Sequence, residues 1–273
     1  MPTQEEKATR FLELHRPGAP LLLPNPWDVG SACLLASLGF VALATTSSGH
    51  AATLGRPDGS VTRDEAIAHA ASIVHASDLP VSADLEDGFA DDPDAVAETI
   101  RLAVGAGLVG CSVEDATRSG DAPIHDAGLA KDRVAAAAEV AHGGPVHLVL
   151  TARAENHLHG RNDLSDTIAR LQAYQEAGAD VLYAPGVSAP DDVRQLVQSV
   201  DRPVNVLALP GCPSVGELAE IGVARVSVGG AFAYAALGAA AEAARELLED
   251  GTYGFWARAG VGMGAAGTAF RSP

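Results

Sequence analysis

The chain has 273 residues, of which 47% are hydrophobic and 19% are charged, and its formal net charge is −17. It is long enough to bury one large core, and its length is normal for a barrel of eight strand–helix units. Only two of its 18 basic residues are lysine, and because the net charge is strongly negative, its surface should repel nucleic acids and anionic membranes. An anionic substrate would need local help from a metal or a well-placed Arg.

Targeting signals and cysteine chemistry are both weakly represented in the sequence. Residues 1–18 are polar and contain no apolar signal core, and no apolar run reaches the roughly 20 residues of a membrane span. Cys33, Cys111 and Cys212 lie far apart and form no CxxC pair. We therefore expect a cytoplasmic protein with neither a membrane partner nor a zinc or redox cysteine motif.

Eight apolar, β-rich segments alternate with Ala-rich segments whose apolar residues recur at helical spacing. The predicted strands are 21–25, 40–47, 80–86, 110–115, 146–153, 180–185, 203–209 and 224–230. Several intervening helices end at a Gly, which caps a helix in the left-handed conformation. With no hairpin signals and no segment marked as an edge, this order predicts parallel strands with right-handed crossovers. We predict an α/β fold, a closed (β/α)8 TIM barrel, as a single domain over residues 1–273.

The segment 252–273 follows the last predicted barrel unit. It is rich in Gly and carries four of the chain's twelve aromatic residues, Tyr253, Phe255, Trp256 and Phe270. Such a concentration of aromatic residues is untypical of a free tail. We expect this segment to pack against protein surface.

Acidic residues end two neighbouring predicted strands, where the active site of a barrel lies. Asp84 and Glu86 alternate onto one face of the third strand, and Glu114 ends the fourth. Three converging carboxylates repel one another, and a hard cation such as Mg²⁺ would neutralise them. The alternative is that these acids cap helices or pair with Arg. For Asp87 and Asp115, a loop or helix-cap role is favoured.

Two further segments indicate carboxylate binding at the same end of the barrel. Arg153 ends the fifth strand, where it could bind a substrate carboxylate through two hydrogen bonds, or form a salt bridge with Glu114 or Glu155. The second strand runs into Thr46-Ser47-Ser48, whose hydroxyl and backbone N–H groups suit a carboxylate, or an ordinary turn.

The ordered set of motifs resembles the isocitrate lyase/phosphoenolpyruvate mutase superfamily. The motifs are LLLPNPWD, TTSSG, LGRPDG, ADLEDG, SVEDA, TARAE and GVARVSVG, and they cover roughly residues 18–250. The resemblance implies a barrel, a Mg²⁺ site in which Mn²⁺ is also possible, and a small-molecule 2-oxo carboxylate as substrate. It also implies exchange of the last barrel helix between subunits and a homotetramer.

The same resemblance assigns roles to particular residues. It implies metal binding by Asp84, Glu86 and Glu114, with Asp58 in an outer position. It implies substrate binding by Arg153 and by the strand-2 loop, with Asp84 also close to the substrate. The strand-2 residues concerned are Thr46, Ser47 and Ser48.

The sequence departs from the superfamily pattern in the loop after the fourth strand. Lyases of the superfamily carry a catalytic Cys there, whereas residues 115–123 contain neither Cys nor Lys. Cys111 alternates away from Glu114 and is no substitute. Pro185 ends the sixth strand, where relatives place a Glu or His. With Arg153 in the catalytic site, Arg118, His125 or a metal-bound water remain as the general acid.

We therefore expect a Mg²⁺-dependent enzyme that acts on a small 2-oxo mono- or dicarboxylate. It would be a lyase, mutase or decarboxylase of C–C or P–C bonds, working through a metal-stabilised enolate. The first alternative is a non-catalytic 2-oxo acid binder that lost the lyase loop. The second is a phosphate-handling barrel, suggested by Gly229-Gly230, although that alternative leaves the acidic residues unexplained.

Overall fold

The computed structural model describes residues 2–117 and 122–270, and it confirms all eight predicted strands. The strands are shorter than the apolar segments that contain them. They are β1 Leu21–Leu23, β2 Leu43–Ala44, β3 Val81–Asp84, β4 Gly110–Glu114, β5 Val149–Arg153, β6 Val181–Tyr183, β7 Val204–Leu207 and β8 Arg225–Ser227.

Helices precede, separate and follow the strands, and many begin at a side-chain cap. They are α1 Gln4–Glu13, α2 Val29–Ser37, α3 Ser47–Thr53, α4 Arg63–Ala76, α5 Pro93–Gly105, α6 Ala127–His142, α7 Leu164–Glu176, α8 Pro190–Ser199, α9 Val215–Ile221, α10 Ala231–Arg245 and α11 Trp256–Ala269, with a π-helical turn Glu246–Asp250 after α10. At α4, Thr62 accepts a hydrogen bond from the Glu65 backbone N–H and the Glu65 carboxylate accepts one from the Thr62 N–H. This reciprocal pair fixes the start of the helix.

All seven strand ladders among the described residues are parallel, in the order β1-β8-β7-β6-β5-β4-β3-β2. The sheet curls into a nearly closed barrel, as predicted. No ladder joins β1 to β2 in this part of the chain, so the closure is less regular than expected. The Ala44 N–H donates to the Pro24 carbonyl at 3.0 Å and the Asn25 side chain donates to the Thr45 carbonyl at 2.9 Å. These two bonds join β2 to the segment after β1.

Two apolar layers hold the barrel together. The larger lies between strands and helices, where outward-facing residues such as Ala83, Cys111 and Leu150 are buried. The smaller closes the amino-terminal end of the barrel, because α1 crosses that end and buries Phe11 beneath the strands. A Cβ at Gly110 would lie 2.6 Å from the Phe11 ring, so the close approach of this helix requires Gly on β4.

The C-terminal helices are largely exposed. Leu248, Trp256 and Val261 are 84%, 58% and 74% exposed, respectively. One end of α11 lies on the chain's own α2, where a Cβ at Gly30 would lie 3.6 Å from Phe270. Part of the predicted packing tail therefore contacts its own barrel. None of the helices in residues 2–117 and 122–270 has the length and apolar character to cross a bilayer.

Candidate active site at the carboxyl ends of the strands

A cavity of about 190 Å³ opens at the carboxyl ends of the strands and extends down into the barrel. At about 30 Å³ per water, it has room for a small acid. The polar and charged residues that line it are Asn25, Thr45, Thr46, Ser47, Ser48, Asp58, Ser82, Asp84, Ser112, Arg153, Tyr183, Asn205, Arg225 and Ser227. A groove of about 490 Å³, lined by Leu14, Leu38 and Phe40, is larger. Its lining is mainly apolar, so the chemistry lies at the strand ends.

Asp84 ends β3 and is held from several sides. Its Oδ2 accepts a hydrogen bond from the Ser47 N–H at 3.2 Å, and its Oδ1 lies 3.4 Å from the Ser112 hydroxyl. Its own N–H donates to the Thr45 hydroxyl at 3.0 Å. Because these partners come from the strands on both sides of β3, the Asp84 carboxylate is fixed at the wall of the cavity.

Arg153 ends β5 and contacts three carboxylates. Its Nη1 lies 3.0 Å from Asp84, its Nη2 lies 2.9 Å from Glu114, and its Nε lies 2.9 Å from Glu155. The salt-bridge alternative is therefore realised. Three of its five N–H groups serve these contacts, so a substrate carboxylate would have to share this guanidinium.

The rim of the cavity contains more negative charge than Arg153 can neutralise. Burial raises the pKa of Glu114 well above its usual range, and Glu155 and Asp84 raise it further against the opposing effect of Arg153. Burial also raises the pKa of Glu155. Burial alone would lower the pKa of Arg153, but Glu114, Glu155 and Asp84 raise it well above its usual range. A second cation at the rim would relieve this imbalance.

Glu86 is positioned by a strained turn and not by strand alternation. β3 ends at Asp84, and Glu86 has a φ of +48°, in the left-handed region that non-Gly residues rarely adopt. The turn continues through Gly88, with a φ of +70° and a Cβ position 3.0 Å from Val96. The simple alternation that put Glu86 and Asp84 on one face is therefore wrong. Glu86 is buried but does not line the cavity.

Asp115 supports the rim from below. The sequence favoured a loop or cap role, but its side chain is 2% exposed. Its carboxylate accepts hydrogen bonds from Arg170 at 2.9 Å, Tyr174 at 2.7 Å and the Glu155 N–H at 2.8 Å. This network fixes the backbone after β5, and with it the Glu155 carboxylate that contacts Arg153.

The strand-2 loop lies at the cavity, as predicted. Thr46 caps α3 by accepting from the Gly49 N–H, and its hydroxyl lies 3.2 Å from that of Ser48. A Cβ at Gly49 would lie 2.6 Å from the Thr46 methyl, and one at Gly230 would lie 2.4 Å from the Ser48 hydroxyl. These glycines allow the loops after β2 and β8 to pack closely together.

The donor set at the mouth fits a hard divalent cation. Asp84 and Asp58 both line this cavity, and Mg²⁺ takes one or two carboxylates while keeping several waters. Glu114 contacts Arg153 at 2.9 Å but does not line the cavity. The metal roles of Glu86 and Glu114 stay predictions.

Among the described residues of the β4 loop, 115–117 and 122–126, no general acid lines the cavity. Arg118 lies outside the described residues. His125 is buried, 3.4 Å from Asp91, and it does not line the cavity. Burial lowers its pKa, with Arg133 acting in the same direction. Cys111 is fully buried in the outer core, and burial raises the pKa of its thiol, which confirms that it faces away.

Sequence reasoning missed the polar residues deep in the barrel, above all Tyr183, Asn205, Arg225 and Ser227. All four line the cavity. Burial raises the pKa of Tyr183 to about 12, and its ring lies 5.3 Å from the Arg153 guanidinium. Asn and Arg are unusual inside apolar strands, and that anomaly was the available signal.

The described residues contain one group of three His, Cys, Asp or Glu ligand atoms within 4.8 Å of each other, formed by His142, His147 and Asp180. It lies at the amino-terminal ends of β5 and β6, opposite the cavity. Each imidazole bonds to a different oxygen of Asp180, at 3.0 and 3.1 Å. The rings stack at 9° with their centroids 4.2 Å apart, so their nitrogen lone pairs lie in two separate parallel planes, an arrangement that does not favour binding of one ion by both imidazoles.

A barrel with a small polar cavity, a carboxylate-rich rim and an Arg at the strand ends defines a class of enzymes that act on small acids. The chain belongs to the phosphoenolpyruvate phosphomutase family, whose model matches residues 11–248. Its relatives are lyases and mutases of the isocitrate lyase/phosphoenolpyruvate mutase superfamily, including 2-methylisocitrate lyase and 2,3-dimethylmalate lyase.

Three similar proteins illustrate this membership. A candidate lyase/mutase from Burkholderia cenocepacia J2315 is 54% identical, with a TM-score of 0.90, over 92% of this chain and 91% of that one. An uncharacterised protein of Mycobacterium tuberculosis is 38% identical over 88% of this chain and 89% of its own. The oxaloacetate decarboxylase of Pseudomonas entomophila is 30% identical over 82% of this chain and 78% of its own.

Proposed function

We propose that this protein is a Mg²⁺-dependent enzyme that breaks or rearranges a C–C or P–C bond next to a 2-oxo carboxylate. The observation that carries the proposal is the unbalanced rim. Three carboxylates surround Arg153, and Asp84 and Asp58 face one small cavity. The net charge of −17 makes such local cationic help necessary for an anionic substrate. Mn²⁺ would satisfy the same oxygen ligands.

Different residues of the chain would bind the cation, orient the substrate and donate a hydrogen bond to it. Asp84 and Asp58 would hold the cation, which would polarise the substrate's 2-oxo and carboxylate oxygens and so favour the build-up of negative charge on them. Arg153 would orient the substrate carboxylate through its remaining N–H groups. The Tyr183 hydroxyl, whose pKa burial raises to about 12, would stay protonated and donate a hydrogen bond to a substrate oxygen.

The reaction favoured within this class is the cleavage of a simple 2-oxo acid, such as decarboxylation. The similarity to an oxaloacetate decarboxylase supports this, as does the loop 115–123, which has no Cys or Lys to protonate a leaving group. General acid–base catalysis contributes roughly 10²- to 10⁴-fold. We therefore expect isocitrate and 2-methylisocitrate to be poor substrates.

The test is a turnover assay on one preparation of the full chain. Oxaloacetate decarboxylation is followed with Mg²⁺, with EDTA, and after Mg²⁺ is restored, and glyoxylate or pyruvate release is followed with the two tricarboxylates. Metal-dependent turnover of a 2-oxo acid above the spontaneous rate supports the proposal. Tricarboxylate cleavage at the median enzyme rate of about 10 s⁻¹ would show that an acid is supplied elsewhere in the site.

A non-catalytic 2-oxo acid binder is the second candidate. The same loop composition favours it, because the binding residues Asp84 and Arg153 lie on strand ends and do not depend on the loop. Mg²⁺-dependent binding of pyruvate, oxaloacetate or 2-oxoglutarate without turnover of any of them would select this candidate.

We also propose that the protein is a cytoplasmic homotetramer in which the C-terminal helices contact a neighbouring subunit. The exposed apolar side chains of this region support assembly, among them Leu248, Trp256 and Val261. The contact of Phe270 with the chain's own α2 limits how much of the segment is exchanged. Sedimentation velocity should give a tetramer, and Val261→Glu should reduce its mass. A monomeric wild-type chain would contradict the assembly.

A further inference from the structure

Arg225 lies at the floor of the cavity that Asp84 and Arg153 line at its rim. It is the first residue of β8, in register with Leu21 of β1 and Asn205 of β7. The residue is 4% exposed, yet its side chain lines the cavity. It is therefore a charged group in the barrel interior that faces the space available to a ligand.

The hydrogen-bond partners of Arg225 are neutral. Its Nε donates to the side-chain amide oxygen of Asn205 at 2.9 Å, its Nη2 donates to the Thr151 hydroxyl at 3.0 Å, and its Nη1 lies 3.1 Å from His15 Nε2. Burial lowers the pKa of His15 to about 3, and Arg225 lowers it in the same direction. His15 is therefore uncharged at neutral pH and acts as an acceptor.

The charge of Arg225 consequently has no anionic partner among the described residues. Burial lowers its pKa to about 10, and the neighbouring group that opposes this effect is the phenol of Tyr183, with no carboxylate contributing. Arg153 and Arg170 differ, since both form salt bridges with carboxylates. A buried cation without a counter-charge is costly unless a bound anion supplies one.

The height of the cavity fits a ligand with two anionic ends. Thr151, which contacts Arg225, precedes Arg153 by two residues on β5. Two residues of a strand rise about 7 Å along the strand, which the tilt of barrel strands reduces to about 5–6 Å along the barrel axis. Thr151, and with it the guanidinium that it contacts, therefore lies about that far below the backbone of Arg153. The hydroxyls of Ser112 and Ser227 line the space. An extended dicarboxylate of four or five carbons spans such a height, whereas a monocarboxylate leaves the floor cation unpaired.

We propose that Arg225 is a specificity-determining residue that binds the distal carboxylate of the substrate, so that the site selects 2-oxo dicarboxylates over 2-oxo monocarboxylates. This rests on the proposed function, because it places the 2-oxo end of the same molecule at Asp84. The rim, which is already rich in carboxylates, repels a second anionic group. The floor attracts one.

The most direct test gives Arg225 an internal carboxylate. Asn205→Asp is nearly isosteric and places that carboxylate where the amide oxygen now accepts from Arg225, 2.9 Å away. The Ser227 hydroxyl, which now accepts from Asn205 at 3.0 Å, can rotate to donate to it. Asn162→Asp, at an exposed position outside the cavity, makes the same change in net charge and is the matched control.

Affinities are measured with Mg²⁺ for two pairs that differ in the distal carboxylate, oxaloacetate against 2-oxobutyrate and 2-oxoglutarate against 2-oxovalerate. The wild type should prefer the dicarboxylate in at least one pair. Asn205→Asp should weaken that dicarboxylate tenfold or more and the monocarboxylate less than threefold, while Asn162→Asp changes neither. Arg225→Lys, which keeps the charge, should retain part of the preference. Thermal unfolding of each variant confirms that it folds.

The outcomes separate the two claims. If the wild type binds all four acids equally, or if Asn205→Asp weakens both members of a pair alike, the assignment to Arg225 is wrong while the proposed function stands. If the wild type binds none of the four acids in the presence of Mg²⁺, the proposed function is wrong and the assignment to Arg225 is wrong with it.

Discussion

Two arginines in one barrel lie in opposite electrostatic settings. Arg153 at the rim contacts Asp84, Glu114 and Glu155, whereas Arg225 at the floor contacts neutral groups and has its pKa lowered to about 10 by burial. The ionic groups around Arg153 therefore carry an excess of negative charge, whereas the described contacts of Arg225 include no carboxylate. A divalent cation would reduce the negative excess at the rim, and the distal carboxylate of a dianion would pair with Arg225.

The largest effect on stability is expected at the rim. Arg153→Met should destabilise the protein by about 3–5 kcal/mol, because it leaves buried carboxylates without a counter-charge. The folded-state pKa values of Glu114 and Glu155, which burial already raises, would then lie further above their unfolded values. Stability should consequently fall as pH rises above about 4.5, and the deficit should be smaller at pH 5 than at pH 8. Urea unfolding at both pH values measures this, with Arg153→Lys as the charge-retaining control. An equal deficit at both pH values would contradict the charge argument.

A smaller loss of stability is expected at Asp115, which contacts helix α7. Asp115→Asn keeps the shape of the side chain but removes the charge that Arg170 and Tyr174 contact, so it should cost about 1–3 kcal/mol. The control is Asp166→Asn, which affects the more exposed partner of Arg170 and should cost less than about 1 kcal/mol. Urea denaturation compares the two variants. Equal losses would show that Asp115 is not the support of this network.

The stability of the protein should depend on pH through His15, which lies at the floor. The pKa of His15 is lowered to about 3 by burial and by Arg225. Below pH 6.5, His15 is therefore protonated in the unfolded state but stays neutral in the folded state. Stability should therefore fall as pH drops from 6.5 towards 3, by up to about 1.4 kcal/mol per pH unit from this group. His15→Gln should reduce that slope between pH 6.5 and 5, whereas His75→Gln, at an exposed position, should leave it intact. Unchanged slopes in both variants would refute a buried neutral His15.

The sequence predicted the fold well because the barrel is specified by local signals. All eight strands were predicted correctly from the alternation of apolar segments, their lengths and the Gly caps. The same signals located Asp84 and Arg153 at the mouth of the barrel. Prediction from the sequence failed where tertiary contacts override strand periodicity. The left-handed turn at Glu86 and the burial of Asp115 both depend on neighbouring strands and helices, and no pattern in either segment indicates them.

The floor of the cavity was missed for a different reason. Asn205 and Arg225 lie within apolar segments, 203–209 and 224–230, that predict ordinary buried strands. Their significance appears when β7 and β8 are paired and Thr151 and His15 are brought alongside. Chain positions as distant as 15, 151 and 225 meet there, so the network is a property of the closed barrel.

The central claim is that the Asp84 carboxylate at the rim holds a divalent cation in an active site. Calorimetric titration of Mg²⁺ into the wild type, Asp84→Asn and Asp58→Asn tests it most directly. Asp84→Asn keeps an acceptor for the Ser47 N–H while removing the charge. The wild type should bind Mg²⁺ with affinity at least tenfold above that of Asp84→Asn, with Asp58→Asn in between. Unchanged Mg²⁺ affinity in a folded Asp84→Asn protein would contradict the account.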